Sequence, residues 1–102
     1  MAHYVVRAKP VGDRLDELRA RLDADEIVVM RPFGRALDHS LRNARREPGG
    51  WAVWEEEDYC SPPLAMERAA VLDVYFTDLS VDAVAPGEGW KSLETLPGLW
   101  GD

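Results

Sequence analysis

Apolar residues recur along the chain at two different spacings, and the alternation between them outlines the fold. His3–Lys9 (HYVVRAK) is a short β-branched and aromatic run closed by Pro10, Gly12 and Asp13, which predicts a first strand. Leu15, Leu18 and Leu22 follow at helical spacing, with Asp16, Glu17, Arg19 and Arg21 between them. They predict an amphipathic helix for which Asp13 stands in N-cap position. Residues 26–33 (EIVVMRPF) read two ways. Ile27, Val28 and Val29 suit a strand, while Asp23 and Glu26 have capping-box spacing and allow a helical turn ending at Pro32–Gly34.

Residues 36–46 (ALDHSLRNARR) carry a conflict between local and longer-range signals. Leu37, Leu41 and Ala44 have helical spacing, with no β-branched residue among them. The turn signal Glu47-Pro48-Gly49-Gly50, however, leads straight into the strand-like Trp51–Glu57. A hairpin would set Arg42 beside Glu55 or Glu56, pairing opposite charges across strands. The turn tilts the reading toward the hairpin and leaves the helix open. Further on, Ser61-Pro62 has the chemistry of a helix start. Ala65, Ala69, Leu72, Phe76 and Leu79 then keep helical spacing over nearly four turns. A last strand is expected at Ser80–Ala85, before Pro86 and Gly87. The tail carries Trp90, Leu93, Leu96, Leu99 and Trp100, and should dock on its own core or on a neighbouring subunit.

Strand, helix, strand, strand, helix, strand is the order of a ferredoxin-like β-α-β-β-α-β domain, an α+β fold with an antiparallel four-stranded sheet. The expected organisation is one domain over residues 1–102, with a core at 3–86 and an apolar tail at 87–102. With both helices on one face, the other sheet face is left to be covered. By element order and length over residues 3–86, the chain resembles the dimeric α/β-barrel superfamily, which includes small YciI-like proteins and cofactor-free monooxygenase-like proteins. The resemblance implies a homodimer in which a second copy covers that face. The histidine that YciI-like proteins usually carry early in their first helix has no counterpart here.

Composition narrows the class. A chain of 102 residues has room for one core, and its 46% hydrophobic and 30% charged residues suit a globular domain. No stretch approaches the roughly 20 apolar residues of a membrane span, so no membrane partner is expected. The start lacks the pattern of a secretory leader. Cys60 is the only cysteine and excludes an internal disulfide, and a cytoplasmic location is the expectation. The net charge of −7 argues against nucleic-acid binding. That charge is unevenly spread. Residues 1–50 hold ten Lys and Arg against eight Asp and Glu, whereas residues 51–102 hold two against eleven.

Candidate chemistry concentrates in Trp51–Arg68 (WAVWEEEDYCSPPLAMER), at a strand-to-helix junction. Strand alternation lets Glu55 converge with Glu57, or Glu56 with Asp58. Such pairs can serve as a general base or as hard-metal ligands, against the plainer reading of a solvated, charged sheet edge. In the hairpin, His39 and Asp58 can meet as a histidine–carboxylate general base, with Tyr59 as a hydrogen-bond donor. Arg31, Arg35, Arg42, Arg45 and Arg46 are candidates to bind an anionic ligand, Arg42 foremost, against the plainer reading of a solvated face paired with the following glutamates, and Trp54 is a candidate aromatic wall. Cys60 precedes a helix start but lies among acids, and reads as a structural cysteine. Two histidines without ligand spacing give no zinc site, and neither a metal nor a tightly bound cofactor is expected. The functional expectation is a small homodimer that binds or transforms a small organic molecule in a sheet-enclosed pocket. The alternative is a non-enzymatic interaction module built on the acidic second half and the Trp-containing tail. Whether the chain is an enzyme stays open.

Overall fold

A computed structural model describes residues 2–101. Its elements are β1 (Ala2–Pro10), α1 (Leu15–Asp23), α2 (Gly34–Arg42), β2 (Arg45–Glu47) and β3 (Trp51–Asp58). A three-part helix follows: α3 (Ala65–Glu67), a π-helical stretch (Arg68–Leu72) and α4 (Asp73–Tyr75). It runs directly into β4 (Phe76–Val84), and α5 (Glu88–Leu93) comes last. The four strands form one antiparallel sheet in the order β2-β3-β1-β4, an α+β arrangement compatible with a ferredoxin-like fold. Among the described residues no helix is long and apolar enough to cross a membrane.

The register of β1 against β3 decides which chemistry goes where. Tyr4, Val6 and Ala8 pair with Glu56, Trp54 and Ala52 on one face. That face meets Leu18 and Leu22 of α1 and Leu37 and Leu41 of α2 in the main core, with Tyr75 and Phe76. His3, Val5 and Arg7 pair with Glu57, Glu55 and Val53, pointing the other way.

Four local expectations need correction. Residues 34–42 are helix, and only Arg45–Glu47 joins the hairpin through the Pro48–Gly50 turn. Helical spacing wins because Gly34, Leu37, Asp38 and Leu41 are buried at i, i+3, i+4 and i+7, while Arg35, His39 and Arg42 stay exposed, which is the period of a helix and not of a strand. The 26–33 segment is a string of turns, neither strand nor helix: Ile27 enters the core while Val29 is exposed. Gly34 lets it lie against α2, since a Cβ there would sit 2.4 Å from the Ile27 carbonyl oxygen. Phe76 and Leu79 belong to β4, not to a fourth helical turn. Neither Asp13 nor Ser61 caps a helix; α1 and α3 start after Arg14 and Leu64 without a side-chain cap.

The C-terminal segment packs on this same chain. α5 lies over Val5 and Glu55 at a glycine: a Cβ on Gly89 would come within 2.7 Å of both side chains. Past α5 the chain runs alongside β2, with Arg46 N–H donating to the Pro97 carbonyl and Leu99 N–H to that of Ala44. Leu99 enters the main core, and Trp100 Nε1 donates to the Leu41 carbonyl at 2.7 Å. The second sheet face is therefore partly covered from within. Its uncovered strip is aromatic and of mixed charge: Arg7 and Lys9 lie over the Trp51 ring at 4.2 and 5.3 Å, and Arg7 Nε is ion-paired with Glu47.

Candidate functional site

β3 is a central strand, so its acidic run is not a solvated edge: Glu55, Glu56 and Asp58 are all buried. Alternation sends the odd and even residues into two separate clusters.

Glu55 and Glu57 face a cleft of about 520 Å³ walled by β1, α2, β3 and the start of α5. Its polar lining is His3, Arg35, His39, Ser40, Glu55 and Glu57, with Trp90 as the aromatic wall. His3 bridges the two acids, Nδ1 lying 3.1 Å from Glu55 Oε2 and Nε2 3.5 Å from Glu57 Oε2. Glu55 also accepts the Gly87 and Trp90 amides at 2.8 and 3.0 Å, pinning α5 to the sheet. Burial pushes the Glu55 carboxyl up, but those amides and the His3 ring outweigh it and hold it below the usual glutamate range. Ser40 Oγ donates to the Glu55 carbonyl at 2.7 Å and fixes α2 on β3. Beside it, α2 presents Arg35 and His39, one turn apart, to the same cleft. The His39 ring stands edge-on to Trp90, with centroids 6.3 Å apart.

The donors and acceptors of this cleft are unequally satisfied. Glu55 is saturated by amides and His3, and Glu57 accepts the Tyr59 hydroxyl at 2.8 Å. Among the described residues, Arg35 has no ion pair and His39 Nε2 no hydrogen-bond partner. The free capacity is that of donors, which suits a ligand carrying acceptors or negative charge.

Glu56, Asp58 and Glu67 form the second cluster, beneath the core. Trp54 Nε1 donates to Glu56 Oε1 at 3.0 Å, and the second carboxylate oxygens of Glu56 and Glu67 have no donor. Burial, together with the nearby Glu67, pushes the Glu56 carboxyl well above its ordinary value; burial raises Glu67 as well. Asp58 goes the other way. Burial opposes ionisation there, but the Leu64 and Cys60 amides donating to Oδ2 at 2.6 and 3.1 Å hold it low. The Met66 amide lowers the Cys60 thiol, yet burial and the Asp58 and Glu67 carboxyls prevail and raise it. Asp58, Cys60 and Glu67 place one ligand atom each within 4.8 Å of one another, the set that could hold a metal. With Asp58 Oδ2 committed to two amides, this set is better suited to sharing protons.

Of the residues singled out from sequence, the structure brings His39 to the cleft, and Tyr59 reaches it through Glu57. Asp58 has the opposite parity from Glu57 and belongs to the buried cluster, so the His39–Asp58 pair has no basis in the fold. Arg42 does not meet Glu55 or Glu56; it bonds Asp38 at 2.8 Å and the Leu22 carbonyl, clamping α2 to the end of α1. Trp54 is wholly buried against Phe76 and lines no cleft. Of the arginines 31–46 offered as anion binders, Arg35 is the one that lines this cleft, and sequence reasoning left His3 and Trp90 out of the site. The expected strand order already set β1 beside β3, so pairing His3 with the odd-numbered acids was the available signal. Comparison of the chain with protein-family models, with curated proteins and with solved structures finds no match.

Proposed function

We propose that the chain binds a small organic anion in the cleft between β1, α2, β3 and α5, with His39, whose Nε2 has no partner among the described residues, placed to exchange a proton with it. The carrying observation is the convergence of both histidines of the chain and of Arg35, which has no ion pair among the described residues, on one cleft whose acids already have donors. His3, with a ring nitrogen on each of Glu55 and Glu57, holds the two acids, and a histidine with an open ring nitrogen beside them can act as an acid–base group. The reading calls for no tightly bound cofactor. Whether proton exchange turns the ligand over depends on its identity.

Propionate is a minimal probe. Titrated into ¹⁵N-labelled protein, it should shift the Gly87 and Trp90 amides and those of α2 saturably, and Arg35→Ala should remove the saturable response. No saturable shift in the cleft, or an unchanged one in Arg35→Ala, would sink this reading. The proposal extends to assembly as a homodimer of the dimeric α/β-barrel kind, with the Arg7, Lys9 and Trp51 strip as the surface left for a second copy. A monomer by light scattering at high concentration removes that extension without touching the cleft. The interaction-module reading is less supported, since Leu99 and Trp100 are packed at home and most of the acidic run is buried.

A further inference from the structure

Beside the cleft lies a second, smaller pocket of about 100 Å³, and the two share a wall at Ala36 and Glu57. The small pocket is lined mainly by carbon: Pro32, Phe33, Ala36, Tyr59 and Met66. At that size it takes an apolar group no larger than a single six-membered ring, and Phe33 and Tyr59 offer aromatic walls to one. Tyr59 and Met66 are among the few large apolar side chains that the fold leaves exposed, and both stand at this pocket. Glu57 divides the two spaces and is held by Tyr59 on one side and His3 on the other. Arg35 and Ala36 are neighbours on α2, so the free guanidinium and the small residue that opens the apolar space adjoin in sequence and in space.

From this juxtaposition we infer that the ligand is bipartite: a carboxylate, or an equivalent anionic group, held at Arg35 and His39, joined by a short linker across Ala36 to a single ring seated between Phe33, Tyr59 and Met66. The class is that of aryl-alkyl acids. The inference rests on the anion-binding reading above and adds the ring and the linker. The charged head alone is solvated and weakly held, whereas the ring adds buried apolar area next to it.

Three probes separate the parts: propionate, 3-phenylpropionate and the uncharged 3-phenylpropan-1-ol, each titrated against wild type, Arg35→Ala and Met66→Ala. Thermal melts check that both variants, at exposed positions, remain folded. The ring should make 3-phenylpropionate bind about tenfold or more tightly than propionate, the effect of burying one aromatic side chain's worth of surface. Met66→Ala should shrink that ratio several-fold while leaving propionate unchanged. Arg35→Ala should weaken both acids and spare the alcohol. Equal affinity of the two acids, both lost in Arg35→Ala, overturns the bipartite ligand and leaves the anion site standing. Equal binding of acid and alcohol with no effect of Arg35→Ala overturns both readings, as does failure of every probe to bind.

Discussion

Exchanging Glu56 for Gln changes one buried oxygen for a nitrogen and removes a group whose ionised form the fold does not accommodate. Glu56 is 1% exposed; Oε1 accepts the Trp54 indole N–H at 3.0 Å and Oε2 has no donor. Its surroundings include Glu67 and Asp58, both acidic. Burial first, and the nearby Glu67 carboxyl second, favour the neutral acid and raise its pKa well above the ordinary 4.5. A group whose pKa is raised on folding contributes stability that is complete below the unfolded value and lost as pH rises through the folded one. Glu67 adds to the same loss, whereas Asp58, held low, contributes above its unfolded value and is lost only as pH falls.

In Glu56→Gln the amide oxygen keeps the Trp54 hydrogen bond, and the NH₂ becomes a permanent donor toward Glu67. Near pH 4 the wild-type carboxyl is already protonated and can donate, so the two proteins should differ by less than about 0.5 kcal/mol. On the alkaline side the wild type either ionises in place or leaves an acceptor unpaired, a cost of about 1–3 kcal/mol that Gln avoids. Each kcal/mol corresponds to about 4–8 °C in a domain of this size. The variant should therefore melt at nearly the wild-type temperature near pH 4 and clearly above it at pH 8–9, with a flatter profile between. Urea unfolding at matched pH provides the free energies and tests that m is unchanged. Parallel profiles, or a variant less stable by the same amount at pH 4 and pH 9, would refute the assignment of Glu56 as a neutral buried acid.

The remaining expectations concern the supports of the cleft. Gly89→Ala drives a methyl into Val5 and Glu55 and should cost about 1–3 kcal/mol, reported by the melt and by Trp90 fluorescence; wild-type stability would show that α5 does not rest where it is placed. Leu99→Ala empties a core position and should cost about 2–4 kcal/mol, whereas a change below about 0.5 kcal/mol would mean that the tail is not part of the core. Asp58→Asn removes the charge that receives the Leu64 and Cys60 amides. It should lower stability at pH 7 by about 1–3 kcal/mol, with the gap closing as pH falls through the depressed folded pKa, and a gap constant with pH would contradict it.

Periodicity revealed the elements whose partners are local and misjudged those whose partners are distant. Leu15, Leu18 and Leu22 gave α1, and the β-branched start gave β1, because each pattern is complete within one element. The hairpin turn was also legible, but not how short its first arm is. Three residues of β2 suffice because the segment around Pro97 and Gly98 pairs along the same edge, a contact some fifty residues away. Phe76 and Leu79 fit helical spacing in sequence, yet β1 offers Phe76 a partner in Pro10, and pairing along the sheet overrides the spacing. The parity of the acidic run was readable, and both pairings that it allowed are made. Their environment was not, since a run of four acids reads as solvent-facing until β1 and α5 are laid against it.

That parity joins stability to function in one strand. Even positions of β3 turn inward to Trp54, Glu56 and Asp58, where protons and amides must compensate the charge; odd positions turn outward to Glu55 and Glu57, where His3 does so. Glu55 carries a structural task in its own right, because its carboxylate receives the amides that fix α5, and α5 brings Trp90 to His39. Removing it would disorganise the cleft wall together with the His3 contact, so its loss could not separate chemistry from folding. Arg35, exposed and without an ion pair among the described residues, has no structural duty of that kind there. A residue that the fold does not need, positioned where the fold has prepared a cleft, is the place at which ligand binding can be tested without disturbing the structure that creates it.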